Sequence, residues 1–246
     1  MNIYLIKKNT NTRIEKIIND YNIRHDENAS LSLIINNNTL ELYNRSIFHK
    51  KTIKVDFLSK QNNYRCLKFK KKHEALYKAL GIKKNYFPYV IDATAGFGKD
   101  AFLMSFWGCY VIMIERNPVI AALLKDGLQR AYKNKNIGNW LKKRLHLIFC
   151  DSFKMLNMPI LKPDIIYLDP MYPLNKKKAL PKKNMQILRN IIKNSDNYEN
   201  LLNISRKFAK KRIIVKRPSY AKPLLENKVK FSINNKNNRF DIYLPF

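Results

Sequence analysis

Leu168–Pro173 reads LDPMYP, a set of residue types suited to alkylating a planar amine. An exocyclic amine on a nucleobase is a weak nucleophile, because its lone pair is delocalised into the ring. Two acceptors aimed at its hydrogens, the Asp169 carboxylate and the Pro170 carbonyl, favour a more pyramidal and more reactive nitrogen. They also steer the lone pair toward a methyl donor, which combines positioning with stabilisation of the positive charge growing on nitrogen. Tyr172 is placed to stack on a base turned out of its helix, as enzymes that act on bases require. Read alone, DPMYP is also what a two-proline loop after a buried strand looks like. Its place in the chain argues for chemistry, because three other polar segments precede it, each just after an apolar strand-like run.

The first of those segments is IDATAGFGKD, Ile91–Asp100. Gly96 and Gly98 stand between a strand and a helix, where a missing side chain lets a ligand approach the backbone. A dinucleotide fingerprint needs a third glycine, and here Lys99, Asp100 and Ala101 follow instead. Asp100 either caps the helix or faces a cationic ligand. A carboxylate there repels pyrophosphate but suits the amino-acid end of S-adenosylmethionine. Glu115 ends the second strand, roughly twenty residues beyond the turn, where an acidic residue accepts hydrogen bonds from ribose hydroxyls. Arg116 follows it, so a plain surface ion pair is the other reading. Asp151 and Ser152 end the third strand; they can read an adenine edge or simply cap a helix.

The elements that must position these residues fall into three stretches. Residues 1–60 carry short strand-like runs at Ile3–Ile6, Leu31–Ile35, Thr39–Tyr43 and Ile53–Phe57, with Asn36–Asn38 as a hairpin turn. Thr12–Tyr21 has Ile14, Ile17 and Ile18 at helical spacing, so this stretch reads as a small α+β subdomain. Residues 61–84 form a basic connector that becomes an amphipathic helix from His73, with Ala75, Leu76, Ala79 and Leu80 inward. Residues 85–246 alternate strand and helix: YVIDA, YVIMIE, LHLIFCD, DIIYLDP and RIIVKRP are strands, and Ala101–Gly108, Pro118–Tyr132 and the region Tyr198–Lys210 are helices. Pro118 suits a first helical position. VKFSI and RFDIYLP are separated only by the polar NNKNN, so they pair as an antiparallel hairpin. A parallel α/β sheet closed by such a pair is the Rossmann-like layout of class I methyltransferases.

The chain has 246 residues and a formal net charge of +30, beyond what its ordinary apolar content would suggest. AT-rich coding favours lysine, asparagine and isoleucine, but a surface this basic concentrates polyanions whatever produced it. Nucleic acid is therefore the favoured large partner, ahead of an acidic membrane. Lys176, Lys177, Lys178, Lys182 and Lys183 lie close behind the LDPMYP turn, and Lys216 and Arg217 end the fifth strand on the same edge; both sets are candidate phosphate contacts. The KFKKKHE run, Lys68–Glu74, has no such geometric support. Cys66, Cys109 and Cys150 share no metal-ligand spacing and indicate no disulfide framework, which fits a reducing cytoplasm. Neither a signal-peptide core nor a membrane-length apolar run is present. These features predict a cytoplasmic chain with no metal and no membrane partner.

DATAGFGKDAF, ERNPVIAALLKDGL, YLDPMYP, ALPKKNM, VKRPSYA and RFDIY, in this order, resemble the blocks of the small-subunit ribosomal RNA guanine-N2 methyltransferases called methyltransferase J. The resemblance covers nearly the whole chain, more loosely over the first sixty residues. It implies S-adenosylmethionine as donor and a guanine exocyclic amine in 16S ribosomal RNA, naked or in the small ribosomal subunit, as acceptor. It also implies cofactor contacts at Lys99, Asp100, Glu115, Arg116, Asp151, Ser152 and Asp169. One departure is the connector, where Lys70, Lys71, Lys72 and His73 replace a glycine-rich run. The turn chemistry alone also admits adenine N6 or a glutamine amide as acceptor. A non-catalytic RNA-binding assembly factor is the reading from another class. A nicotinamide oxidoreductase is disfavoured by the missing glycine.

Overall fold

The computed structural model describes residues 2–45, 52–60, 74–156, 158, 162–171 and 197–246. Tyr172, Cys66, the lysines of 176–183 and the 68–73 part of the KFKKKHE run lie outside them. Near the amino end, α1 (Thr12–Asp20) buries Ile14, Ile17 and Ile18 on one face, and the Asn11 side chain caps it by accepting from the Ile14 amide. Strands β1 (Asn2–Lys7), β2 (Arg24–His25), β3 (Leu31–Asn36) and β4 (Thr39–Asn44) form one sheet in the order β2-β1-β3-β4. Only β3 and β4 are antiparallel, and they turn at Asn37–Asn38. Asn37 takes a left-handed φ of 50°, which asparagine tolerates.

The second sheet has seven strands: β5 (Tyr89–Asp92), β6 (Tyr110–Glu115), β7 (Leu145–Phe149), β8 (Ile165–Leu168), β9 (Arg212–Pro218), β10 (Phe231–Asn234) and β11 (Asn238–Tyr243). Their order is β10-β11-β9-β8-β5-β6-β7. Strands β5 to β9 run parallel, and β11 is antiparallel to both its neighbours, as the NNKNN spacer predicts. The helices are α2 (Ala75–Leu80), α3 (Lys99–Phe106), α4 (Pro118–Tyr132), α5 (Gly138–Arg144), α6 (Ser152–Leu156) and α7 (Tyr198–Phe208). Pro118 stands at the start of α4, whose Val119 and Ile120 amides donate to the Asn117 side chain.

Strand pleating sends alternate side chains to opposite faces. Val90, Ile165 and Tyr167 enter an apolar cluster with α2, α3, α4, α5 and the amino-terminal sheet. Ile91, Ile166 and Leu168 enter a second cluster with α6 and α7. The amino-terminal sheet is further tied on through Asp126 of α4, which is fully buried. Its Oδ1 accepts from Arg13 at 2.7 Å, and its Oδ2 accepts from Arg130 at 3.0 Å and from the Leu40 amide at 3.2 Å.

The short strand β2, the stretch Ile53–Phe57 and helix α5 differ from the sequence reading. Ile53–Phe57 is not a strand: only Ile53 bridges to Leu42, because the Arg130 guanidinium takes the Val55 carbonyl and Phe57 stacks on Phe102. Helix α5 was not foreseen, since GNWLKKR has too few apolar positions to show a period; Leu141 is its one fully buried large side chain. No described helix is long and apolar enough to cross a membrane.

From β5 the chain steps outward to β6 and β7, then returns to place β8 on the other side of β5. Connections leaving β5 and β8 diverge to opposite faces, and in open α/β sheets the crevice at such a switch point takes the ligand.

Candidate active site

Residues Ala93–Gly96, just after β5, hold the other three strand ends together. The Asp169 amide, after β8, donates to Thr94 Oγ1 at 2.6 Å. Ser152, after β7, donates its hydroxyl to the Ala93 carbonyl at 2.6 Å. At the end of β6, the Glu115 carboxylate accepts from the Gly96 amide at 3.2 Å and from the Asn117 amide at 2.8 Å. Gly96 and Gly98 both have left-handed φ, at 52° and 69°. They differ in what a side chain would meet. At Gly96 a Cβ would meet only the Thr94 carbonyl, at 4.0 Å, so the turn is approachable there. At Gly98 it would strike Met113, Leu124 and Phe57 within 3.3 Å, so this glycine's missing side chain serves core packing rather than ligand approach.

Charge is concentrated at the switch point. Lys216 Nζ, from β9, lies 2.7 Å from Asp100 Oδ2 and 2.9 Å from Asp169 Oδ2. Tyr167, buried in β8, donates its hydroxyl to the same Asp100 oxygen at 2.8 Å. Asp92 stands beside them, buried, with one oxygen accepting from the Thr94 amide. Burial pushes the Asp92 carboxyl well above the usual range. Burial and the surrounding carboxylates push the Tyr167 phenol up as well, so it stays a neutral donor. Burial raises the Asp169 carboxyl and Asp100 pushes it further up, while the Lys216 ammonium beside it pulls it back. Burial works against the Lys216 charge, yet Asp100 and Asp169 together hold the ammonium above the ordinary lysine range. Burial lifts Glu115 to about 7, against the pull of the Asn117, Gly96 and Arg116 amides and the Arg116 charge.

The sequence-predicted residues that are described thus meet on one edge of the sheet. Lys99 is exposed on the first turn of α3. Asp100 does not cap that helix, whose N-cap is Gly98; its carboxylate reaches across to β8 and β9. Arg116 pairs with Asp151 at 3.6 Å, and Asp151 caps α6 by accepting from the Phe153 amide at 2.9 Å. The phosphate role read for Lys216 and Arg217 is not what the geometry favours. Lys216 is committed to two carboxylates, and Arg217 is buried with its guanidinium on the Lys222 carbonyl. Sequence reasoning missed Asp92, Thr94 and Tyr167. The signal for Tyr167 was a phenol inside an otherwise aliphatic buried strand, where its hydroxyl needs a partner.

The family described as SAM-dependent methyltransferase matches residues 16–245 of this chain. The ribosomal RNA small subunit methyltransferase J of Buchnera aphidicola subsp. Schizaphis graminum is 65% identical over 246 residues, spanning 100% of this chain and 99% of that one. Its namesake from Photorhabdus laumondii subsp. laumondii is 42% identical over 233 residues, 95% of this chain and 94% of that one. Among solved structures, a SAM-dependent methyltransferase from Neisseria gonorrhoeae has a TM-score of 0.80 at 29% identity, covering 100% of this chain and 96% of its own. The seven-stranded sheet with its antiparallel closing strand is the class I methyltransferase fold these relatives share. The chain belongs to the ribosomal RNA small subunit methyltransferase J family of S-adenosylmethionine-dependent methyltransferases.

Proposed function

We propose that this protein transfers a methyl group from S-adenosylmethionine to the exocyclic N2 of a guanine in the 16S RNA of the small ribosomal subunit, in the cytoplasm. The observation that carries the reading is the state of Asp169. Its amide is held by Thr94 and its Oδ2 by Lys216, while Oδ1 accepts from no described residue and the side chain keeps 40% of its surface exposed. A fixed, part-exposed carboxylate whose second oxygen no described residue occupies is what an amine hydrogen needs.

The surrounding residues fit the cofactor. Space over Gly96 admits a ligand against the turn, and Glu115 beside it retains lone pairs for ribose hydroxyls. Asp100 would put negative charge toward the amino-acid end, and Asp151 and Ser152 would take the adenine side; Lys99 and Arg116 are exposed beside them. When bound, S-adenosylmethionine supplies a methyl group carried on a positively charged sulfur. Asp169 Oδ1 and the Pro170 carbonyl orient the amine, and Tyr172, by its place in the turn, stacks on the base. With the methyl passing from the sulfonium to the amine nitrogen, Asp169 Oδ1 would take the one proton the amine loses and pass it to solvent. RNA as the acceptor is supported by relatives that are ribosomal RNA small subunit methyltransferases by name, and adenine N6, a protein amide and a non-catalytic role are not favoured by them.

The test is methyl transfer from labelled S-adenosylmethionine to small subunits lacking the modification, followed by nucleoside digestion. Label is expected in N2-methylguanosine. Asp169→Ala should lower turnover by about 100-fold or more while cofactor affinity changes little, as for removal of a group acting in the transition state. Label in another nucleoside or in protein would overturn the acceptor. Equal loss of turnover and cofactor binding would move Asp169 to a cofactor-binding role.

A further inference from the structure

Lys216 is the one described cation that reaches into the carboxylates of the switch point. Strand β9 lies next to β8 in parallel register, Leu168 opposite Val215, so the next residue of each strand, Asp169 and Lys216, emerge side by side. The lysine side chain then spans to the first turn of α3 and meets Asp100. Asp100 is itself anchored by the Tyr167 hydroxyl, and Tyr167 is 1% exposed. A chain of fixed groups therefore runs from the core to Asp169: Tyr167, Asp100, Lys216, Asp169.

We propose that Lys216 is a positioning residue for the methyl transfer: by tying Asp169 Oδ2 to Asp100, it leaves Asp169 Oδ1 as the oxygen that receives the amine hydrogen. The proposal rests on the role given to Asp169 above. A carboxylate held only through its backbone turns about its last torsion and exchanges its two oxygens, a torsion that is broad and soft. The ammonium removes that freedom. It also offsets like charge, since Asp100 from α3 faces Asp169 and favours a proton on it, with Asp92 of β5, its own carboxyl raised by burial, beside them. A protonated Asp169 would donate toward the amine instead of accepting from it. Lys216 cannot take the amine proton, because the same carboxylates hold its charge in place. The proton released on methylation is left with Asp169 Oδ1 as its acceptor.

The experiment compares wild type, Lys216→Met and Lys216→Arg in three readouts. These are turnover on small subunits lacking the modification, calorimetric affinity for S-adenosylmethionine, and the carbon-13 titration of the Asp169 carboxyl in the ligand-free protein. For Lys216→Met we expect turnover to fall at least about tenfold with cofactor affinity kept within about threefold, the signature of a lost transition-state interaction. The acid limb of the turnover–pH profile and the Asp169 midpoint should both move up by at least about one pH unit, the direction in which removing a neighbouring cation shifts a carboxyl. Lys216→Arg should recover part of the turnover and return the Asp169 midpoint toward wild type. An unchanged Asp169 midpoint in Lys216→Met, or a loss of cofactor binding and melting temperature that Lys216→Arg does not restore, would overturn the proposal. If wild type makes no N2-methylguanosine, the functional reading falls, while the titration still decides whether Lys216 controls Asp169.

Discussion

Glu115 is a carboxyl whose environment works against its charge until a ligand arrives. Burial holds it near pH 7 although backbone amides already favour the ionised form. In the ligand-free protein, a carboxyl raised from 4.5 to about 7 stabilises the fold fully below 4.5, and this contribution is lost as pH rises through about 7. Ribose hydroxyls prefer the carboxylate, so cofactor affinity should weaken about tenfold per unit below pH 7 and level off above it. Glu115→Gln should abolish this dependence between about pH 5.5 and 8.5 and bind roughly tenfold more weakly at the upper end. Calorimetric titration across that range checks both; a pH dependence retained in the glutamine variant would remove Glu115 from the ribose role. At this scale the sequence exposed the residue types but not their pairings. Gly96 and Gly98 look alike in GFG, and only the neighbours of each show that one is uncrowded and the other pressed against the core.

Helix α4 shows how an element serves the site from behind. Its start carries Asn117, which caps it after Glu115, and its middle carries Asp126, where Arg13 and Arg130 meet the Leu40 amide. Asp126→Ala leaves two guanidinium groups facing each other at the junction of the two sheets, a loss of about 3 kcal/mol. For a chain of this length the melting temperature should fall by about 6–12 °C, measured by calorimetry. A fall of under a degree would mean that apolar packing alone holds the amino-terminal sheet. Helix α4 was legible because fifteen residues keep an apolar period and open on Asn-Pro. Ile53–Phe57 was misread because its alternation fits a strand, while the partner of the Val55 carbonyl, Arg130, is 75 residues away.

Across the whole molecule the net charge of +30 sets the long-range behaviour. Binding to a polyanion driven by counterion release weakens steeply with salt. The KM for small subunits should rise at least about tenfold between roughly 50 and 200 mM potassium chloride, while cofactor affinity, governed by an enclosed site, should change far less. Parallel salt dependence of both would mean that the charge acts on the fold rather than on RNA. The edge that carries Asp169 also carries the β10–β11 turn with exposed Lys236, so part of the charge lies on the face the substrate must approach.

The sequence by itself determined the alternation of the main strands and helices beyond residue 85, the antiparallel closing hairpin, and the four strand ends where polar residues gather. These follow from local periodicity and from chain connectivity. It also determined the family, through ordered blocks spread along nearly the whole chain. Only the tertiary structure decided which groups pair. Lys216 and Asp169 are 47 residues apart, and Asp100 and Lys216 are 116 apart, so no local pattern links them. They meet because β8 and β9 are adjacent in register while α3 returns over the same edge. Sequence reading sent Lys216 toward phosphate because it ends a strand on the same sheet edge as Asp169; the folded sheet turns it into the counterion of its own site.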